Sequence, residues 1–208
     1  MSNYLKQLFS DEKIIKMVKE KMPDMFQLAE MESSRAGKLG MEVGSARERI
    51  IIALLIYKFG EENIKTDIPI TESDLDVILF NNPISIKTIS GGLTGVKLVW
   101  TVDPQKALEF SKNYQPKSDL LLVNINWGDT SAFYYFPKES QIRVFKKIGA
   151  KKYLKLPKRG TNPRGVEITQ KALKLLTMDK DMMSIDVNWV RREVKYDVYD
   201  RWVELWRK

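Results

Sequence analysis

Between Asp74 and Thr88 the chain runs Asp74-Leu-Asp76-Val-Ile-Leu-Phe80-Asn-Asn-Pro-Ile-Ser85-Ile-Lys87-Thr88: an acidic lead-in, an apolar strand, a short turn and a second strand that returns one lysine. No other stretch limits the possible folds so tightly. Residues i and i+2 of a strand share a face, so Asp74 goes with Asp76 and Ser85 with Lys87. A two-residue turn at Asn81-Asn82 would set Phe80 opposite Pro83 and Asp76 opposite Lys87. A slip of one residue would part them.

Around this hairpin the pattern alternates between helix and strand. Ser10 reads as an N-cap followed by Asp11 and Glu12, with Ile14, Ile15, Val18 and Met22 at helical spacing and Pro23 ending or kinking the helix. A second helical piece covers Met25 to Met31, and Ser33 to Gly40 is a loop. Ser45 to Phe59 is the strongest helix; Ile50 to Tyr57 is apolar on every side, which predicts burial, and Gly60 stops it. Val77–Phe80 and Ile84–Ile89 form the hairpin, Val96–Val102 a third strand, Pro104–Tyr114 a helix, and Leu120–Trp127 a central strand buried on both faces. Ala132–Phe136 and Gln141–Phe145 read as a further hairpin. Thr169–Leu176 is a helix, and Val187–Lys208 a polar helix bearing Trp189, Val194, Trp202 and Trp206. This order predicts an α/β fold, a mixed β-sheet flanked by helices.

Composition removes much chemistry. Among 208 residues there is no cysteine and no histidine. That excludes disulfides, thiol nucleophiles, Ser-His-Asp arrangements and His- or Cys-held zinc. A metal here must be held by oxygens, which favours Mg²⁺, with Mn²⁺ next. The net charge of +8 suits a polyanion such as nucleic acid, and equally suits a soluble surface. The longest apolar run, Ile50 to Tyr57, is too short for a bilayer, and Met1-Ser-Asn-Tyr shows no signal-peptide pattern; a cytoplasmic protein with no membrane association is expected.

A carboxylate beside an ammonium is what phosphodiester hydrolysis with a hard cation requires. The carboxylate holds the ion, and the ammonium stabilises charge on the phosphate oxygens. Asp76 and Lys87 suit these roles; a surface hairpin with a solvated lysine accounts for the same residues. Glu48 carries two readings of its own: Ser45-x-x-Glu48 is a capping-box signature, and the same carboxylate on a helix before the hairpin could hold metal.

At Asp76, Lys87 and Glu48 the chain resembles the PD-(D/E)xK nuclease superfamily, and type II restriction endonucleases in particular. The resemblance spans roughly residues 44–127 and, more softly, 155–176. It implies a restriction-endonuclease-like core in which Asp76 is the first acid, Lys87 the lysine, Glu48 the helix glutamate, and Ile86 the residue whose carbonyl joins the metal shell. Ser85 departs from the pattern, which has Asp or Glu there; some members with Ser-x-Lys draw the missing acid from a helix. Glu48 is the first candidate for that acid, Glu109 the second, and Asp74 a third from the face of Asp76.

The stretch Lys155 to Ile168 places Lys158, Arg159, Thr161, Asn162 and Arg164 on a Gly/Pro-rich backbone. Arginine reads guanine bidentately, asparagine reads adenine, and lysine grips phosphates. A solvated basic turn is the plain alternative. Arg47, with Arg35, Lys38 and Arg49, is a further candidate for phosphate.

The resemblance implies one domain, 1–208: a helical N-terminal arm (1–43), a catalytic core (44–127), and a segment (128–208) holding a hairpin, the basic recognition loop and C-terminal helices. It implies Mg²⁺-dependent cleavage of double-stranded DNA at a short palindrome by a homodimer, as in a restriction-modification system. Structure-selective cutting would instead indicate a junction resolvase or repair nuclease. Binding without cleavage would indicate a non-catalytic DNA-binding module.

Overall fold

The computed structural model describes residues 4–35, 38–40, 42–69, 74–101, 103–157 and 165–207. Helices α1 (Tyr4–Ser10) and α2 (Glu12–Glu32) open the chain, followed by two short paired strands, β1 (Ser34–Arg35) and β2 (Lys38–Leu39). Asp11, not Ser10, caps α2: its carboxylate accepts the Ile14 N–H at 3.1 Å, and Ser10 closes α1. Pro23 neither ends nor divides α2. A proline inside a helix costs about 3 kcal/mol. Running through it buries Met22, Phe26 and Ala29, and the two large side chains contribute about 1.5–3 kcal/mol each.

Helix α3 (Val43–Phe59) follows and stops at Gly60, whose φ of 87° needs a glycine and whose N–H reaches the Ile56 carbonyl. It is buried on one side only, through Arg47, Ile51 and Leu55, while Tyr57 is exposed; the expectation of burial all round does not hold. After a 3₁₀ turn (Glu61–Asn63) come β3 (Ile64–Lys65), β4 (Val77–Leu79), β5 (Asn82–Ser90), β6 (Gly95–Trp100) and α4 (Pro104–Asn113), the last capped by Asp103. Strands β7 (Asp119–Ile125) and β8 (Thr130–Phe136) precede α5 (Lys138–Ile148). The segment Gln141–Phe145 is thus helix, not strand. Gln141 is held inside, donating to the carbonyls of Ser118 and Phe136. Then come α6 (Ala150–Tyr153), β9 (Leu154–Lys155), β10 (Gly165–Thr169), α7 (Gln170–Leu176), β11 (Met183–Asn188) and α8 (Asp200–Arg207). The C-terminal segment is therefore a strand, an irregular stretch and a short helix, not one helix. Trp189 is fully buried against Phe26 and Trp127.

Six strands form one mixed sheet in the order β11-β8-β7-β5-β4-β3, with β5 and β7 parallel and every other neighbour antiparallel. A second, antiparallel sheet has the order β6-β10-β9. Strand alternation explains the layers. Leu121, Val123 and Ile125 of β7 join a core with α1, α2 and α3, while Leu120 and Leu122 join a second core with α5, α6, α7, β6 and β10. The central strand is buried on both faces, as its unbroken apolar run predicts. Among the described residues no helix is long and apolar enough to cross a membrane.

Candidate active site

The hairpin turn is one residue earlier than the asparagine pair suggests. Phe80 and Asn81, both at positive φ (46° and 66°), form it, so Leu79 opposes Asn82 and Val77 opposes Ile84. The Asn82 amide donates to the Leu79 and Phe80 carbonyls and fastens the turn from the strand side. Phe80 tolerates its unusual backbone inside an aromatic group with Tyr4 and Phe59. Moving the turn by one residue moves the cross-strand partner by two. Asp76, leading into β4, lies beside Ser85 rather than Lys87, and faces are preserved.

Three donors of β5 consequently converge on one oxygen of Asp76. Oδ2 accepts from the Ser85 hydroxyl at 3.3 Å, the Ile86 N–H at 2.6 Å and the Lys87 ammonium at 2.7 Å. No hydrogen bond among the described residues goes to Oδ1. An extended residue points its N–H and C=O to the same strand edge, so the Ile86 carbonyl shares the edge that faces Asp76. That edge is not covered there, because β4 begins only at Val77.

Asp76 and Lys87 line a cleft of about 580 Å³. Gly44, Ser45 and Glu48 of α3 form one wall; Gly95–Leu98 of β6 and Glu167 of β10 form another. Glu48 is not a cap. Helix α3 starts at Val43 with Glu42 at the cap position and no side-chain capping bond, so Glu48 is an interior residue turned into the cleft. Burial raises its pKa to about 7; the nearby Lys87 charge opposes the rise and the Asp76 charge adds to it. Glu48, Asp76 and Lys87 therefore feel one another electrostatically.

The other candidates fall elsewhere. Glu109 is exposed on α4, and the charge of Asp74 acts on the Tyr114 hydroxyl, so neither lines the cleft. Ser85 is buried and supports Asp76 rather than replacing an acid. Arg47, expected at a phosphate, is only 4% exposed and is paired with Glu30 inside the fold. Lys158, Arg159, Thr161, Asn162 and Arg164 lie outside the described residues. Two charged cleft residues escaped the sequence reading, Lys97 and Glu167. Val166 and Ile168 are buried in the second core, which turns the intervening Glu167 the other way, and Glu167 pairs in register with Lys97.

Two carboxylates and a strand-edge carbonyl suit a hard divalent cation, which typically takes one or two carboxylates and completes its shell with water and substrate phosphate. Among the described residues no group of three or more acidic side chains is set for a metal. The donor set therefore fits an ion shared with the substrate.

Residues 8–208 match the family model of restriction endonuclease ThaI. A solved structure of a restriction endonuclease in complex with substrate DNA superposes with a TM-score of 0.92 at 57% sequence identity, covering 98% of this chain and 99% of that one. Among curated proteins no relative matches.

Proposed function

From the premise that this chain belongs to the ThaI restriction endonuclease family and is a type II restriction endonuclease, we propose that the Asp76–Lys87–Glu48 cleft is where it hydrolyses the DNA phosphodiester bond. The family implies a divalent metal; Mg²⁺ is the ion the all-oxygen donor set favours, with Mn²⁺ a substitute. Asp76 Oδ1, the Glu48 carboxylate and the Ile86 carbonyl would hold it. Once bound, it would polarise the phosphoryl oxygens and lower the pKa of water beside it.

The chain's own groups do the rest. Lys87, whose ammonium donates to Asp76 Oδ2 at 2.7 Å, has further N–H donors that would reach a non-bridging phosphate oxygen and stabilise the charge that builds there. Ser85 and the Ile86 N–H keep Asp76 oriented through Oδ2 while its other oxygen is engaged. A water attacks phosphorus in line with the leaving 3′ oxygen. One P–O bond forms and one breaks; the attacking water gives up one proton to solvent, the leaving 3′ oxygen takes up one from solvent, and the products carry a 5′ phosphate and a 3′ hydroxyl.

The observation that carries this reading is the convergence on Asp76: one face of β5 brings the lysine within 2.7 Å of a carboxylate that also borders a second, desolvated carboxylate. The substrate is double-stranded DNA bearing a short palindrome, read by a homodimer whose two-fold axis coincides with that of the site. Lys158, Arg159, Thr161, Asn162 and Arg164 are the recognition residues, close in sequence to the cleft residue Glu167. The chain acts as one domain, in the cytoplasm. Digestion of a sequenced plasmid with Mg²⁺, followed by end mapping, tests the reading. Discrete fragments with common ends support it; no cleavage, or cutting only at branched DNA, refutes it.

A further inference from the structure

Arg47 is adjacent to Glu48 on α3, yet it points away from the cleft and into the protein. Its guanidinium spans two partners. Nη2 pairs with the buried carboxylate of Glu30 on α2, and Nη1 donates to the Ser90 hydroxyl at the end of β5, at 3.2 Å. Glu30 is itself a hub: Oε1 also accepts the Trp127 indole N–H at 2.8 Å, and Oε2 accepts from Arg191 at 2.5 Å. Arg191 in turn stacks on the Trp127 ring, its guanidinium carbon 4.2 Å from the ring centre.

A buried ion pair is a poor source of stability, because desolvating both charges offsets most of their attraction. A hydrophobic pair would fill this space without that cost. What the charged group adds is direction. The planar fork ties α3, which carries Glu48, to β5, which carries Ser85, Ile86 and Lys87, and anchors both to α2.

Resting on the cleavage site argued above, we infer that Arg47 is a positioning residue: through Glu30 and Ser90 it sets the distance of Glu48 from Asp76 and Lys87, and hence the grip of the pair on the divalent ion. Partners bonded directly to metal ligands change metal affinity about 10–100-fold when removed; Arg47 acts one link further out, through α3 and β5, so the lower end of that range, about 10-fold, is the scale expected.

Two variants test this. Arg47→Lys keeps the charge beside Glu30 but has no fork to reach Ser90 as well. Ser90→Ala removes only the second link, at an exposed residue. Binding of Mn²⁺ to the enzyme–DNA complex is read from loss of the free-ion spin-resonance signal, and kcat and KM from plasmid cleavage. For Arg47→Lys the expected result is Mn²⁺ affinity lower by about 10-fold and kcat lower by a similar factor, with KM for DNA within about twofold. Ser90→Ala should move the same two quantities in the same direction by less, about threefold or more. Arg47→Lys with a lowered melting temperature but wild-type Mn²⁺ affinity and kcat would overturn the inference, as would a Ser90→Ala enzyme that matches wild type in both. An inactive wild-type enzyme that still binds Mn²⁺ would refute the cleavage reading instead.

Discussion

Replacing Glu48 by glutamine should make this protein more stable at alkaline pH while disabling it. Glu48 ionises near pH 7 in the folded protein against 4.5 for an ordinary glutamate, because the cleft desolvates its carboxylate. Below pH 4.5 the group is protonated whether the chain is folded or not, and it costs nothing. Between 4.5 and 7 the unfolded chain releases the proton while the folded one holds it, so stability falls as pH rises. Above 7 the full cost is present. Each pKa unit is about 1.4 kcal/mol, so the gap between 4.5 and about 7 sets a ceiling of about 3 kcal/mol. The cleft is open on one side, and a glutamine amide also loses some solvation there, which leaves about 1–2 kcal/mol. For a chain of this size that is a rise in melting temperature of roughly 2–8 °C. The assay is thermal unfolding of wild type and Glu48→Gln without metal, at pH 5 and pH 8.5. The variant should gain at pH 8.5, gain little at pH 5, and lose the stabilisation that added Mg²⁺ gives the wild type. Equal melting temperatures at pH 8.5, or an Mg²⁺ response as large as that of wild type, would refute the electrostatic account of the cleft.

Further outcomes follow from other sites. Lys87→Ala should abolish cleavage while leaving DNA affinity within about threefold, since one of many phosphate contacts is lost; gel-shift and plasmid assays together check it. Arg164→Ala should weaken specific binding by about 1–3 kcal/mol and random-sequence binding far less, read from titrations on cognate and scrambled duplexes. Gly165→Ala should destabilise the protein by about 1–3 kcal/mol in urea unfolding, because the new methyl would meet the Val99 carbonyl at 2.5 Å where β10 passes β6.

The hairpin was legible because its chemistry depends on face, and face depends only on parity. The turn is Phe80-Asn81 rather than Asn81-Asn82, yet Asp76, Ser85 and Lys87 stay together, since sliding the turn by one residue moves the partner by two. The double burial of β7 was legible from its unbroken apolar run. What local pattern concealed was tertiary. Arg47 and Arg49 look alike in sequence, but only Arg47 meets a buried carboxylate, contributed by a helix 17 residues away in the chain. The Ser45-x-x-Glu48 spacing imitates a cap, but the helix begins two residues before Ser45, leaving Glu48 to face the cleft. Gln141–Phe145 alternates like a strand, yet Gln141 satisfies two interior carbonyls from a helix. Strand β11 did carry a local signal that the reading of Val187 onward as helix passed over: Met183, Ile185 and Val187 alternate with Ser184, Asp186 and Asn188, the period of a half-buried strand, and it pairs along β8.

The central claim is that Asp76 is the carboxylate on which Lys87, the divalent ion and the scissile phosphate meet. Single-turnover cleavage of a cognate duplex by Asp76→Asn, at saturating enzyme and Mg²⁺, tests it most directly, because asparagine keeps the size and most of the hydrogen bonding but not the charge. The expected result is a bound duplex that stays intact, with a rate at least about 1,000-fold below wild type, or about 4 kcal/mol of lost transition-state stabilisation. Cleavage of the bound duplex at a rate near that of wild type would contradict the account.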